Sequence, residues 1–253
     1  MATTRQALVQ YLDNYLNVGK IRDYCPNGLQ VEGTPTIQRL VTGVTASQAL
    51  IDKAIEHDAD AVLVHHGYFW KGEDPCVRGM KKQRLAKLLA HDINLFAYHL
   101  PLDVHPEVGN NVQLAKRLDI DVGAGLDAND PFSVALRGRF KIPLTHAELC
   151  QRLTSNIDTR VLSEGNPDAV LETVAWCTGG GQGYIDAAAE QRIDAFISGE
   201  VSEQTIHTAR EMGIHFFAAG HHATERYGAQ ALGEHIAAQF DIDVTFIDIP
   251  NPA

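Results

Sequence analysis

Ala61-Val62-Leu63-Val64-His65-His66-Gly67-Tyr68-Phe69-Trp70 is the stretch that decides how this chain is read. Its opening is an apolar run with β-branched side chains, preceded by Asp60 and closed by Gly67, which predicts a buried strand of the parallel type. Such a strand delivers two histidines at its C-terminal end, where open α/β sheets place their ligands. Side chains alternate across a strand, so His65 and His66 start from opposite faces and suit two neighbouring ions better than one. Alone, the pair reads more readily as a core histidine beside an exposed one. For Tyr68, Phe69 and Trp70 the expected role is core packing, with stacking on a base as the alternative.

Outward from this strand, helices and strands alternate. Thr3 to Leu16 carries Leu8, Leu12 and Leu16 at helical spacing, with Thr3 or Thr4 as N-cap. A turn-rich Cys25 to Gln30 leads to a strand from Arg39 to Val44 and a helix from Ser47 to His57. After the histidine strand come a helix from Lys81 to Ala90, a strand from Ile93 to Tyr98 that runs into His99-Leu100-Pro101-Leu102-Asp103, and a helix from Asn110 to Leu118.

The chain then repeats itself. Gln48, Ile51, Asp52, Ala54, Glu56, Asp60 and Ala61 match Gln182, Ile185, Asp186, Ala188, Glu190, Asp194 and Ala195 at an offset of 134. At a slightly shorter offset, Ile93 to Ala97 matches Ile214 to Ala218, and Asp119-Ile120-Asp121-Val122 matches Asp241-Ile242-Asp243-Val244. Because the matches keep their order, a duplicated α/β unit is expected: a first repeat over 1–122, a linker with an edge strand over 123–142, and a second repeat over 143–253. Leu144-Thr145-His146-Ala147-Glu148 opens a helix of the second repeat with a capping-box pattern. The fold class is α/β, with mostly parallel or mixed sheets.

Composition bounds the function. A formal charge of -11 argues against a protein that wraps duplex nucleic acid, whose affinity rests on Lys and Arg. Cys25, Cys76, Cys150 and Cys177 are scattered and form no Cys-x-x-Cys pair, which fits a reducing, cytoplasmic setting. Neither a signal segment nor a membrane-spanning run is expected. Twelve histidines, by contrast, are many for this length, and they cluster.

The second cluster is Gly220-His221-His222-Ala223-Thr224-Glu225, where a strand gives way to a long helix. Glu225 shares a helix face with either His222 or His221. Together with His65, His66, His99 and Asp103, this makes a set of imidazoles and carboxylates without thiolates, suited to zinc, iron, manganese or cobalt and larger than one ion needs. Two ions bridged by a carboxylate would use it, at a site between the halves. At the second-repeat positions of His65 and His66 stand Gly199 and Glu200, so one copy of the site is lost or repurposed. Trp176 to Gly183 is a glycine-rich turn without the Lys-Ser/Thr of a P-loop, expected to serve close backbone packing more than anion binding. Glu200 and His207 are candidates to face the metals, with helix capping by Ser202 and surface exposure as the alternative.

Pro26-Asn27-Gly28-Leu29-Gln30-Val31, Val64-His65-His66-Gly67, His99-Leu100-Pro101-Leu102-Asp103, Ser198-Gly199-Glu200 and Gly220-His221-His222-Ala223-Thr224-Glu225 resemble, in order and over the whole chain, the GTP cyclohydrolase I type 2-homologue or Nif-three-like family, in its short bacterial form. The resemblance implies two intertwined, internally duplicated α/β halves assembled as a toroidal homohexamer. It also implies two divalent metal ions per chain, iron, zinc or manganese, held by His65, His66, Asp103, His221 and a bridging Glu225, with His221 taken over His222. His99 would stand beside the metals as a supporting group or weak ligand, orienting a carboxylate or moving a proton. The expected activity is metal-dependent hydrolysis of a small anionic, nucleotide-like substrate, GTP or a damaged nucleotide. The alternative is a non-catalytic protein that stores or delivers metal, or a hexameric ring that binds a nucleotide cofactor.

Overall fold

The computed structural model describes residues 1–157 and 160–253. In chain order the first stretch contains β1 (Thr3–Thr4), α1 (Arg5–Tyr15), β2 (Gly28–Val31), β3 (Thr36–Ile37), β4 (Arg39–Thr45), α2 (Gln48–Glu56), β5 (Ala61–His66), α3 (Gly79–Ala90), β6 (Asn94–Ala97) and α4 (Leu100–Val104). Then follow α5 (Asn110–Arg117), β7 (Ile120–Gly125), β8 (Leu136–Thr145), α6 (His146–Asn156), β9 (Leu162–Glu164), β10 (Val170–Cys177), α7 (Ile185–Glu190), β11 (Ala195–Ser198), α8 (Glu203–Met212), β12 (His215–Ala218), α9 (His221–Phe240) and β13 (Asp243–Phe246). Among the described residues no helix is long and apolar enough to cross a membrane.

Two compact units result. The first is 1–109 with 228–249, and the second is 110–227 with 250–253, so the boundaries fall at 109 and 227 rather than at the repeat limits of 122 and 143. The reason lies in the last strand of each repeat. β7 closes the first repeat but joins the six-stranded sheet of the second unit, ordered β7-β8-β10-β11-β12-β9. β13 closes the second repeat but pairs in parallel with β4 in the five-stranded sheet of the first unit, ordered β13-β4-β5-β6-β2. This exchange intertwines the duplicated halves. It also means that β8 is not an edge strand, because it is paired on both sides, with β7 and β10.

The duplication is visible in the registers. Leu40 faces Ala61 and Ala61 faces Asn94 in one sheet; Val174 faces Ala195 and Ala195 faces His215 at the matching places in the other. Asp60 and Asp194 do the same work in each: one carboxylate oxygen accepts two successive backbone N–H groups, of Gln38 and Arg39 at 2.7 and 2.9 Å, and of Glu172 and Thr173 at 3.0 and 2.8 Å. The joints from helix to strand repeat too. Asp58, Asp92 and Asp119 after α2, α3 and α5, and Arg192, Gly213 and Asp241 after α7, α8 and α9, all have positive φ, the left-handed turn that ends a helix and sends the chain back to the sheet.

In the first unit, β5 is covered on two faces. Val62 and Val64 pack with Leu50, Ile51 and Ala54 of α2 and Leu85 and Leu88 of α3. Ala61 and Leu63 pack with Leu8 and Leu12 of α1 and Leu232 and Ile236 of α9. The fully buried Ala61 to Val64 is thus the apolar run that sequence alone marks as a central strand. In the second unit, Val174, Trp176, Ala195 and Ile197 face α5 and α6, while Ala175, Phe196 and Phe216 face α7 and α8. α6 carries the expected capping box, Thr145 with Glu148.

A histidine pair joins the start of α6 to β12, the strand next to the outer β9 of this second sheet. Nδ1 of His146 lies 2.9 Å from Nδ1 of His215, and Nε2 of His146 lies 3.0 Å from Ser163 Oγ. Burial holds both imidazoles below the ordinary histidine value; the neighbouring ring adds to this at His146, and Glu164 and Asp194 oppose it. A depressed folded pKa means that the unfolded chain binds more protons, so this stability is present above about pH 6.5 and is lost as pH falls below it. Urea unfolding of the wild type should show a falling free energy between about pH 6.5 and 5, and a His146→Gln, His215→Gln double variant should show a shallower fall. Identical slopes in the two proteins would remove the pair as the cause.

Candidate metal centre

His65 is fully buried at the end of β5. Its Nδ1–H donates to the Tyr98 carbonyl at 3.0 Å, which directs Nε2 to Asp103, whose Oδ1 is 3.4 Å away. His66, the next residue, has Nδ1 3.2 Å from Thr45 Oγ1 on the neighbouring strand. Alternation roots the two side chains on opposite faces at the end of β5, yet the ring centroids are 4.5 Å apart.

His99 and Asp103 are not on a strand end, as the sequence suggested. His99 is the N-cap of the short helix α4, where Leu102 N and Asp103 N donate to its carbonyl at 2.8 and 3.1 Å, so Asp103 is set one turn into a helix. Nδ1–H of His99 donates to Asp23 Oδ1 at 2.9 Å, and its backbone N–H donates to Asn27 Oδ1 at 2.7 Å. The second oxygen of Asp23 accepts from Leu100 N and Asn27 Nδ2, both at 2.9 Å. Burial pushes the Asp23 carboxyl up, but the bonds from His99, Asn27 and Leu100 outweigh it and bring its pKa down to about 2. Ring nitrogens of His65, His66 and His99 lie within 4.8 Å of one another, as do ligand atoms of Asp23, Cys25 and His99. Burial, then the charges of Asp23 and Asp103, pushes Cys25 up to about 12, which keeps it a thiol.

The second unit supplies a related pair. An offset of 122 relates His99 to His221 and Asp103 to Glu225, so each repeat carries a histidine and a carboxylate four residues apart at a helix start. Nε2 of His221 is 3.1 Å from Glu225 Oε2, and its Nδ1–H donates to Glu200 Oε1 at 2.7 Å. Burial would lower the His221 pKa, but Glu225 and then Glu200 overcome it and raise it to about 9. Glu200 therefore shows what became of the lost copy: at the second-repeat place of His66 it now orients a histidine. His222 is buried beside the helix start, its backbone N–H donating to the Ala253 carbonyl at 3.0 Å. His207 does not join the site; its side chain is 60% exposed and pairs with Glu203 at 3.8 Å.

At the start of the glycine-rich turn two backbone donors are already used in packing. Gly179 N–H donates to Thr224 Oγ1 at 3.0 Å and Thr178 N–H to Asn111 Oδ1 at 3.1 Å, which takes both donors away from any anion. Gly179 has φ +62°, and a Cβ on it would overlap Glu225 Oε1 and come within 3.1 Å of His221 Nε2. Only a glycine lets this backbone lie against the carboxylate.

Sequence reading missed Asp23 and Asn27. Their signal was present in Asp23 to Gly28, a polar turn that breaks the helical pattern, but nothing in its spacing says that it folds onto a histidine 76 residues away. The donor chemistry fits a divalent ion. Four imidazoles have Nδ1 engaged; the carbonyl at His65 and the carboxylates at His99 and His221 fix tautomer and ring so that Nε2 can ligate, while the Thr45 hydroxyl at His66 positions the ring. Gly179→Ala should displace the Glu225 carboxylate and weaken metal retention by about tenfold or more, read by chelator competition, while circular dichroism stays unchanged. Wild-type retention in this variant would show that Glu225 has no ligand role.

A family model described as Duf34/NIF3 (NGG1p interacting factor 3) matches residues 3–252. A Yersinia pestis protein named GTP cyclohydrolase 1 type 2 homolog is 61% identical over 243 residues, 96% of each chain. A Pseudomonas aeruginosa protein of the same name is 56% identical over 255 residues, the full length of both. A solved structure of a protein called ybgI, of unknown function, superposes with a TM-score of 0.95 at 55% identity, over 99% of this chain and all of that one. On sequence and on fold alike, the chain belongs to the Duf34/NIF3 family.

Proposed function

We propose that this protein is a hydrolase that works with two divalent ions, iron, zinc or manganese, on a nucleotide-like substrate such as GTP or a damaged nucleotide. The observation that carries the proposal is the state of four imidazoles: His65, His66, His99 and His221 each have Nδ1 tied down, and Nε2 of His65 and His221 face the buried carboxylates Asp103 and Glu225. On this reading His65, His66, Asp103, His221 and Glu225 are the ligands, and Glu225 bridges. Bound there, two divalent ions would lower the pKa of water and polarise a carbon or phosphorus centre. Two dications against two carboxylates leave the centre positive, which draws an anionic substrate to a chain of net charge -11. His99 has its own part: with Nδ1 held by Asp23, it offers Nε2 to take or return a proton. Glu200 holds the His221 ring, and Gly179 leaves Glu225 its place.

Metal content per chain in protein purified without added metal tests the centre, and turnover of a nucleotide panel after reloading tests the chemistry. About two ions and metal-dependent turnover of one nucleotide are expected. Two ions without turnover, but with transfer to an acceptor protein, would replace the hydrolase with metal delivery. Glu225→Gln should lower the occupancy of both ions, whereas His65→Ala and Asp103→Ala should each mainly lose one; equal losses in all three would reject the bridge. The same reading includes a homohexamer, for which light scattering on a gel-filtration peak should give six chains.

A further inference from the structure

We infer that Tyr24 and Trp70 form an aromatic wall beside the histidine cluster of the first unit, on which a purine base of the ligand stacks. The inference rests on the nucleotide reading above and adds how the base is recognised. Tyr24 is 53% exposed, an unusual state for a tyrosine next to buried histidines. Its ring centroid is 5.8 Å from that of Trp70, and the planes differ by 37°. Both rings stand edge-on to His99, at 5.0 Å and 73° for Tyr24 and 4.9 Å and 85° for Trp70, and Trp70 is 6.0 Å from His66. At this spacing the two rings already touch, so a base would lie on their open side rather than between them.

The wall is not core. Tyr68 packs in the cluster under β5, but among the described residues Tyr24, Phe69 and Trp70 belong to neither apolar cluster of this unit. The backbone is instead bent to hold Trp70 where it is. Phe69 has φ +67°, a left-handed conformation that is an outlier for a bulky aromatic residue and that persists at sites where function requires it. This turn brings the indole back over the strand end, where Nε1–H donates to the Gly67 carbonyl at 3.2 Å. Lys71 N–H donates to the Tyr24 carbonyl at 2.7 Å and ties the two ring-bearing loops together. Two aromatic rings, held in advance at the rim of a polar cluster, are what a sequence-tolerant stacking platform needs.

Tryptophan emission reads the wall directly. The chain has two tryptophans, and Trp176 is fully buried, so quenching by a bound base reports Trp70. The metal-loaded protein would be titrated with guanosine 5′-monophosphate and, as a probe without a base, ribose 5-phosphate. Saturable quenching by the nucleotide is expected, with Tyr24→Leu raising its Kd by about tenfold. Trp70→Leu should do the same in calorimetry, and neither change should alter ribose 5-phosphate binding or metal content. Equal binding of the two probes, or nucleotide affinity indifferent to both variants, would overturn the wall and leave the metal reading standing. Nucleotide binding that needs Tyr24 but survives removal of the metal would uphold the wall and sink the metal reading. Loss of metal in Trp70→Leu would reduce the ring to a support for His99 and also overturn the proposal.

Discussion

The candidate site depends on one kind of interaction, the hydrogen bond that its imidazoles make through Nδ1. An imidazole alone rotates and exchanges tautomers. When Nδ1–H is given to the Tyr98 carbonyl, as at His65, or to Asp23 and Glu200, as at His99 and His221, Nε2 is left as the nitrogen that would bind an ion once deprotonated, and the ring plane is fixed. The partners sit where sheet topology puts them: Tyr98 follows β6, the neighbour of β5, and Glu200 follows β11, the neighbour of β12. Tyr98 and Glu200 are thus products of strand order, each set beside its histidine where parallel strands end at one edge of its own sheet, whereas Asp23 reaches His99 from a loop.

Duplication explains both what is shared and what differs. Asp60 and Asp194 keep a structural task in each repeat, and so do the left-handed joints after the helices, so their recurrence carries no sign of chemistry. His99 with Asp103, and His221 with Glu225, keep the helix-start pair in each. Change came at the strand end, where one repeat has His65 and His66 and the other Gly199 and Glu200. At that strand end the second repeat has Glu200, whose carboxylate orients His221, and its Gly179, without a side chain, admits Glu225.

Much of this was legible in sequence because it rests on local pattern. The apolar Ala61 to Val64, the capping box at Thr145, the helix at Ser47 and the order-preserving repeats come from neighbours in the chain, and the structure contains them. What was not legible depends on pairing across the chain. The alternation of Phe132 to Phe140 after a linker-like stretch reads as an edge strand, and the place of β8 between β7 and β10 is decided by the exchange of last strands. The short helix α4 was hidden by Pro101, which suits the first turn of a helix as readily as the end of a strand. Asp23 lies just before the turn-rich Cys25 to Gln30, and a lone aspartate there gives no sign that it holds a histidine 76 residues away.

Charge gives the last constraint. Asp103 and Glu225 are 6% and 3% exposed in a chain that is already acidic overall, and a buried carboxylate without a cation is costly. An imidazole nitrogen stands 3.4 Å from Asp103 and another 3.1 Å from Glu225. Imidazole is a weaker base than the side chain of lysine or arginine, and it gives up its proton to a metal ion where a guanidinium would not. A fold that wanted only to neutralise these carboxylates would do better with arginine. An imidazole beside each carboxylate is a group that can share a divalent ion with it as a ligand, which a guanidinium cannot do.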